Sequence, residues 1–233
     1  MRDNIYSIYI DEVNKIKQNS GVYAIFLVGS SKAKDLKKDG QSVNDIDLFV
    51  ICESADKQVR VIKVIDGLNF DINYFSKKYC DEMIEKREIF FIGEMVDAKV
   101  EYDRTNISKD LIKLCKVLFA KGPKKIEEGE KEYIKQELYT NLLKLADKQK
   151  YNETEYQFLT NLFLKDIIIG YFSINDIWLP KEKKLLRALH KENRELYILF
   201  ENAYRTKDYI DLYKIYIYIF RDVDIKKYIK LIY

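Results

Sequence analysis

Proline is nearly absent, at 2 of 233 residues, and glycine is scarce, at 8. The usual punctuation of turns is therefore thin, and each glycine that does occur carries weight. The 3 cysteines, Cys52, Cys80 and Cys115, are odd in number, far apart and without a CxxC pair. That argues against a disulfide framework or a cysteine zinc site, and free thiols fit a reducing, cytoplasmic setting. The one histidine, His190, sits inside LLRALHKENREL and reads as a surface or bundle residue, which argues against Ser-His-acid catalysis. There is no excess of one charge: 41 basic against 38 acidic residues leave a net +3, unlike the strong basic surplus of a dedicated nucleic-acid binder. No apolar run approaches the roughly 20 residues that span a bilayer. The N-terminal MRDNIYSIYIDEVNKIK is charged throughout and lacks a signal-peptide core. The expectation is a cytoplasmic protein with no membrane partner and no dedicated nucleic-acid partner.

What is present is an ordinary globular balance, 47% hydrophobic and 34% charged, with enough chain for one large domain or two modest ones. Residues 3–18 place Ile5, Tyr9, Val13 and Ile16 at helical spacing. VYAIFLV (22–28) and DIDLFVIC (45–52) read as buried strands. QVRVIKVI (58–65) alternates, so it predicts a strand with one wet face. Asp66-Gly67 is a hairpin signal, and LNFDINYF (68–75) is the returning strand. SKKYCDEMIEKRE (76–88) predicts a helix capped by Ser76, and DAKVEYD (97–103) a last short strand. From about residue 107 the pattern is helical almost to the end, beginning with LIKLCKVLFAKG (111–122) and running through four further segments: residues in EYIKQELYTNLLKLADKQK, TEYQFLTNLFLKDIIIGYF, EKKLLRALHKENRELYILFENAY and KDYIDLYKIYIYIFRDVDIKKYIK recur near a 3.6 spacing. The fold expected is α+β: a small mixed-sheet domain over residues 1–106, then an antiparallel helical bundle over 107–233. The tyrosine-rich YKIYIYIF (213–220) reads as the buried face of the last helix or as a homodimer surface.

The chemistry is concentrated in FLVGSSKAKDLKKDGQSVNDIDLFVI (26–51). Carboxylates are poor strand formers and costly to bury, yet Asp45 and Asp47 open the second strand. Residues two apart in a strand share a face, so these two project together while Ile46 and Leu48 face the core. Held that close they repel, unless a cation with a taste for hard oxygen ligands, ordinarily Mg²⁺, sits between them. Asp71, flanked by Phe70 and Ile72, is placed to add a third carboxylate. Gly29 at the strand end lets backbone N–H groups approach a phosphate. Ser30 and Ser31 offer hydroxyls, and Lys32 and Lys34 lie close by. If SSKAKDL opens a helix, its N-terminus adds favourable charge.

A strand ending in Gly29-Ser30, a helix, then Asp45-Ile-Asp47 on the next strand and a later Asp71 resembles the DNA polymerase beta-like nucleotidyltransferase superfamily, over roughly residues 20–105. The layout is similar to the aminoglycoside (kanamycin-type) nucleotidyltransferases, in which a helical bundle follows the catalytic domain. MVDAKVEYDRTN, with Tyr102-Asp103, resembles the strand that closes such a catalytic domain. NDIWLPKEKKLL, with Trp178, Pro180, Lys181 and Lys184, resembles the turn into a late bundle helix. The chain departs from the pattern in a longer loop between Gly29 and Asp45, and in Asn44 where serine is common.

The resemblance implies an enzyme that moves a nucleoside monophosphate, AMP by expectation, from NTP to a hydroxyl of a small acceptor such as an aminoglycoside, with release of pyrophosphate. Asp45, Asp47 and Asp71 would hold Mg²⁺, two ions in such chemistry, and Asp71 would activate the acceptor. Gly29, Ser30, Ser31 and Lys34 would hold the nucleotide. The bundle would supply the acceptor pocket, with Glu137, Lys181 and Lys184 as candidates and Glu155 and Asp166 as alternative acids. The competing readings are an antitoxin-like enzyme that AMPylates a partner protein, a binding module that has lost the chemistry, and a template-free transferase acting on RNA ends.

Overall fold

The computed structural model describes residues 5–38, 43–53 and 57–221. The chain divides into two units, Met1–Pro123 and Lys124–Tyr233. In the first, the apolar run 22–28 becomes β1 (Val22–Val28), an inner strand of a five-stranded sheet. Its antiparallel neighbours are β2 (Asp45–Cys52) and β5 (Lys99–Asp103). β4 (Leu68–Ser76) lies parallel to β2, and β3 (Val59–Ile65) closes the edge antiparallel to β4, so the order is β3-β4-β2-β1-β5. The β3–β4 hairpin is set by two residues, Asp66 (φ 49°) and Gly67 (φ 82°). Both are left-handed, as the two-residue turn that matches strand twist requires. That turn pairs Ile65 with Leu68 and so fixes every pairing along the hairpin, Ile62 opposite Asp71 among them.

One face of the sheet is a core. The helix α1 (Ile5–Lys17) lays Ile8, Tyr9, Val13 and Ile16 against Ile46, Leu48, Val50, Phe70 and Ile72. The other face is divided along the strands. Beyond Asp45 and Asp47, β2 continues on the same side with Phe49. This ring stacks on Phe91 (5.8 Å between centroids) and meets Phe75 edge-on (5.0 Å). Phe91 belongs to α3 (Ile89–Met95), which follows α2 (Lys77–Glu85). A β2 strand with carboxylates at its start and aromatics behind them is thus one face with a wet half and a helix-covered half.

Ser76 does cap α2, accepting from the Tyr79 N–H at 3.0 Å. The helix predicted over 76–88 ends at Glu85, because Arg87 turns left-handed (φ 53°) and donates its guanidinium to the carbonyls of Gly122 and Pro123. The sequence reading assigned no element to α3. The change of character near residue 107 is also not the boundary between units. α4 (Ser108–Lys121) buries Cys115 and stays with the sheet. Asp103, the last residue of β5, accepts from the Ile107 and Ser108 N–H groups and so ties the helix to the strand. Gly122 (φ 83°) and Pro123 then end it, and the division falls there rather than at 106/107.

The second unit packs α5 (Glu128–Lys144), α6 (Glu153–Ile174), α7 (Leu185–Glu192), α8 (Arg194–Thr206) and α9 (Tyr209–Phe220) around Leu142, Ile167, Leu189, Leu196, Leu212, Ile215 and Tyr216. Only Asn193 separates α7 from α8, whereas residues 145–152 and 175–184, each with a 3-10 turn, lie between α5 and α6 and between α6 and α7. The segment read as one helix over EKKLLRALHKENRELYILFENAY is two, broken at Asn193. Its extended backbone (φ −148°) leaves its side chain to accept the Leu196 N–H at 3.0 Å and start α8 afresh. Tyr216, on the tyrosine-rich run, is fully buried. The end of the last predicted helix, after residue 221, lies outside the described residues. Among the described residues no helix is long and apolar enough to cross a membrane.

Candidate functional site

Gly29 follows β1 directly, at the strand end where Val28 pairs with Asp47. Its φ of +70° is left-handed. A Cβ on it would lie 1.8 Å from Asp47 Oδ2 and 2.6 Å from Asp47 Cγ, so the Asp47 carboxylate is seated on the bare Cα. Glycine is needed here twice over, for the backbone and for the close approach. Asp47 in turn pairs with Asp71 across the parallel β2–β4 ladder. Neighbouring strands lie about 4.8 Å apart, so both carboxylates rise side by side from the wet half of the face. Asp45, one step outward, is exposed and pairs with Asn69, whose side-chain amide donates to Asp45 Oδ1 at 2.9 Å.

Asp71 is engaged as well. Arg60 on the edge strand grips it with two hydrogen bonds, Nε to Oδ1 at 2.9 Å and a terminal nitrogen to Oδ2 at 2.7 Å. The pairing holds the Arg60 guanidinium above its ordinary pKa, first through the hydrogen bond and then through the charge of Asp71, with Asp47 adding to the field. Asn73 donates to Asp71 Oδ1 at 3.2 Å and accepts from Gln58 at 2.6 Å. Among the described residues, no three or more His, Cys, Asp or Glu side chains are gathered as a ready metal cluster. The donor set nevertheless suits a hard divalent cation: carboxylate oxygens on adjacent strands, one of them against the bare Cα of Gly29. Arg60, 56% exposed along its side chain, is the positive group now beside them.

The turn after Gly29 is less than the sequence suggested. Residues Ser31–Ala33 form a single 3-10 turn, too short to bring a helix dipole to bear. Ser30 is exposed at its start, whereas Ser31 is buried, with its hydroxyl 3.5 Å from the Val28 carbonyl. Lys34 accepts a hydrogen bond at its carbonyl from Lys99 Nζ. Lys32 turns inward. It meets Glu94 Oε2 at 3.3 Å and Asp97 at 2.5 Å, and the same Glu94 oxygen accepts the Gly29 N–H at 2.9 Å.

In the helical unit, Glu137 lines a groove of about 300 Å³ between α5 and α6, together with Asn141, Asp166 and Ser173. Burial pushes the Asp166 carboxyl up, and Lys165 only partly opposes this. Glu155 is spoken for: with Asn152 it forms the reciprocal cap that starts α6, each side chain accepting the other's backbone N–H. Lys181 and Lys184 lie in the exposed turn leading into α7. His190 stands edge-on to the Tyr197 ring at 4.8 Å.

Sequence reasoning missed Arg60, Asn69, Asn73 and Glu94. The first three were within reach: the Asp66-Gly67 turn sets Ile65 opposite Leu68, and counting back puts Arg60 opposite Asn73, on the face of Asp71. Glu94 had no local signal, because it meets Gly29 across 65 residues of chain.

The chain matches no family model and no curated protein at the level of sequence. Among solved structures it is similar to a nucleotidyltransferase-like protein from Exiguobacterium sibiricum. The two share 11% identity and superpose with a TM-score of 0.50, over 93% of this chain and 74% of that one. At that identity the likeness is one of fold. The chain therefore has a nucleotidyltransferase-like α+β fold, with Gly29, Asp47 and Asp71 together on the exposed half of its sheet.

Proposed function

We propose that this protein is a metal-dependent nucleotidyltransferase that moves a nucleoside monophosphate from an NTP, ATP by preference, to a hydroxyl of a small acceptor, releasing pyrophosphate. The observation that carries the reading is the pairing of Asp47 with Asp71 across β2 and β4, with the Asp47 carboxylate seated on Gly29. Asp45, Asp47 and Asp71 are the residues that would hold Mg²⁺. Bound there, Mg²⁺ supplies charge neutralisation on the triphosphate and orients attacking and leaving oxygens in line. The protein's own part is positioning. The bare Cα of Gly29 leaves room for the Asp47 carboxylate, and the ladder sets Asp71 beside it. Ser30, exposed at the turn, offers its hydroxyl to the distal phosphates. Asp71 would complete the metal that activates the acceptor hydroxyl, or would itself accept the proton as the oxygen attacks the α-phosphorus and pyrophosphate leaves.

An aminoglycoside-type acceptor is the finer part of the proposal. The groove of Glu137, Asn141, Asp166 and Ser173, whose other walls are Ile134, Leu138, Ile169 and Gly170, supports it, because carboxylates with amide and hydroxyl neighbours suit an ammonium-bearing polyol. Lys181 and Lys184 remain candidates for phosphate contact.

The test is pyrophosphate release from Mg²⁺–ATP across a panel of aminoglycosides and other hydroxyl compounds. Release with one acceptor, lost in Asp47→Asn, supports the reading and names the acceptor class. Tight Mg²⁺–ATP binding without release from any small acceptor directs the search to protein acceptors. Absence of both binding and release overturns it.

A further inference from the structure

The donors that a phosphate would use are already holding an anion, and the anion is part of the chain. The N–H of left-handed Gly29 points at Glu94 Oε2 (2.9 Å), and the Lys32 ammonium reaches the same oxygen (3.3 Å). A backbone amide at a left-handed glycine together with an ammonium is the donor set that binds a phosphate oxygen. The contact is built into the fold. The Lys32 and Glu94 side chains are only 14% and 15% exposed. Lys32 also donates to the Glu94 carbonyl (3.4 Å) at the end of α3, and it pairs with Asp97. Around Gly29, the Lys32 ammonium meets the carboxylates of Glu94 and Asp97, and the Asp47 carboxylate lies against the Gly29 Cα.

Resting on the transferase reading above, we propose that Glu94 is an internal anion that guards the Gly29 amide and excludes a metal-free triphosphate. A bare triphosphate has to displace the Glu94 carboxylate seated on the Gly29 N–H, whose negative charge opposes it. A triphosphate carrying Mg²⁺ brings positive charge for Asp47 and Asp71. That offsets the loss of the Glu94 contacts, so the guard makes nucleotide binding conditional on metal. Glu94 thereby determines which form of the substrate is accepted, without touching the transferred group.

The experiment uses the full chain and inorganic tripolyphosphate as the probe, titrated calorimetrically with EDTA and, separately, with Mg²⁺. Glu94→Gln keeps the shape and removes the charge. It is expected to bind metal-free tripolyphosphate about tenfold more tightly than wild type, and to differ much less when Mg²⁺ is present. Unchanged or weaker metal-free binding in Glu94→Gln would overturn the proposal and leave Glu94 as a brace for the turn. A second measurement needs no variant. The Gly29 amide resonance of the ¹⁵N-labelled wild-type protein is expected to shift when Mg²⁺–tripolyphosphate is added, and a resonance that stays in place while its neighbours move also overturns the proposal. A Mg²⁺–ATP titration of the wild type separates the two ideas. If Mg²⁺–ATP does not bind, the transferase reading falls and the guard with it. If it binds and Glu94→Gln behaves as wild type, only the guard falls.

Discussion

Replacing Gly29 by alanine isolates what its seat for Asp47 is worth, because the chain carries its own control. Gly29 and Gly67 are both left-handed, at φ +70° and +82°. A Cβ on Gly67 meets nothing within 4 Å, while one on Gly29 meets Asp47 Oδ2, Cγ and Cβ at 1.8, 2.6 and 2.9 Å. The left-handed conformation costs an L-residue about 1–2 kcal/mol. Loss of glycine freedom in the unfolded chain returns about 0.4–1 kcal/mol. Gly67→Ala should therefore cost about 1 kcal/mol. Gly29→Ala adds overpacking of about 1–3 kcal/mol, for a total of about 2–4 kcal/mol. Asp47→Ala removes the two nearest atoms, so in that background the Gly29→Ala cost should fall towards the Gly67→Ala value, a coupling of about 1–2 kcal/mol. Urea-dependent hydrogen exchange at the Leu48 and Ile72 amides, central in the sheet, reads this in the unit that holds both glycines. Equal losses for the two glycines, or no coupling to Asp47→Ala, would refute the claim that the carboxylate sits on Gly29. Turnover should also separate them, with Gly29→Ala near the Asp47→Asn level and Gly67→Ala near wild type.

Asp47→Asn should abolish pyrophosphate release while leaving the melting temperature nearly unchanged, since the amide fills the same seat and like-charge repulsion is reduced. Differential scanning calorimetry beside the turnover assay checks both halves. Arg60→Gln frees Asp71 from an exposed ion pair, so stability should move by less than about 1 kcal/mol, while Mn²⁺ affinity by electron paramagnetic resonance should rise; weaker Mn²⁺ binding would assign Arg60 a supporting rather than a competing role. For Asp103, burial disfavours the carboxylate, but the N–H donations from Ser108, Ile107 and Thr105 outweigh it and hold the carboxyl below its usual 3.8. Its contribution is thus complete above 3.8 and lost as the pH falls through the depressed value. Asp103→Asn should accordingly be less stable than wild type at neutral pH, with the gap closing in strong acid. Ile167 is fully buried in the helical core, and Ile167→Ala should cost about 2–5 kcal/mol of that unit's stability by urea unfolding.

Sequence by itself determined the parts of this protein that rest on local rules. The apolar run 22–28 and the DIDLFVIC strand appear with the bounds read from the chain, because burial leaves a strand little freedom at its ends. The Asp66-Gly67 turn forms because few residue pairs accept two left-handed conformations in succession. The i, i+2 rule was enough to put Asp45 and Asp47 on one face, and a glycine before a polar loop was enough to mark the turn. Tertiary structure decided what each of those groups faces. The parallel register that sets Asp71 beside Asp47 rather than a residue to either side depends on how β4 enters the sheet, which no window of sequence contains. α4 joined the sheet unit instead of the helices because Asp103 caps it and Cys115 is buried under it, a matter of packing and not of propensity. The counter-charges at the site, Arg60 on Asp71 and Glu94 on Gly29, also came from elsewhere in the fold. A charged group takes the partner that lies nearest in space, and space is fixed only once strands and helices have been laid against one another.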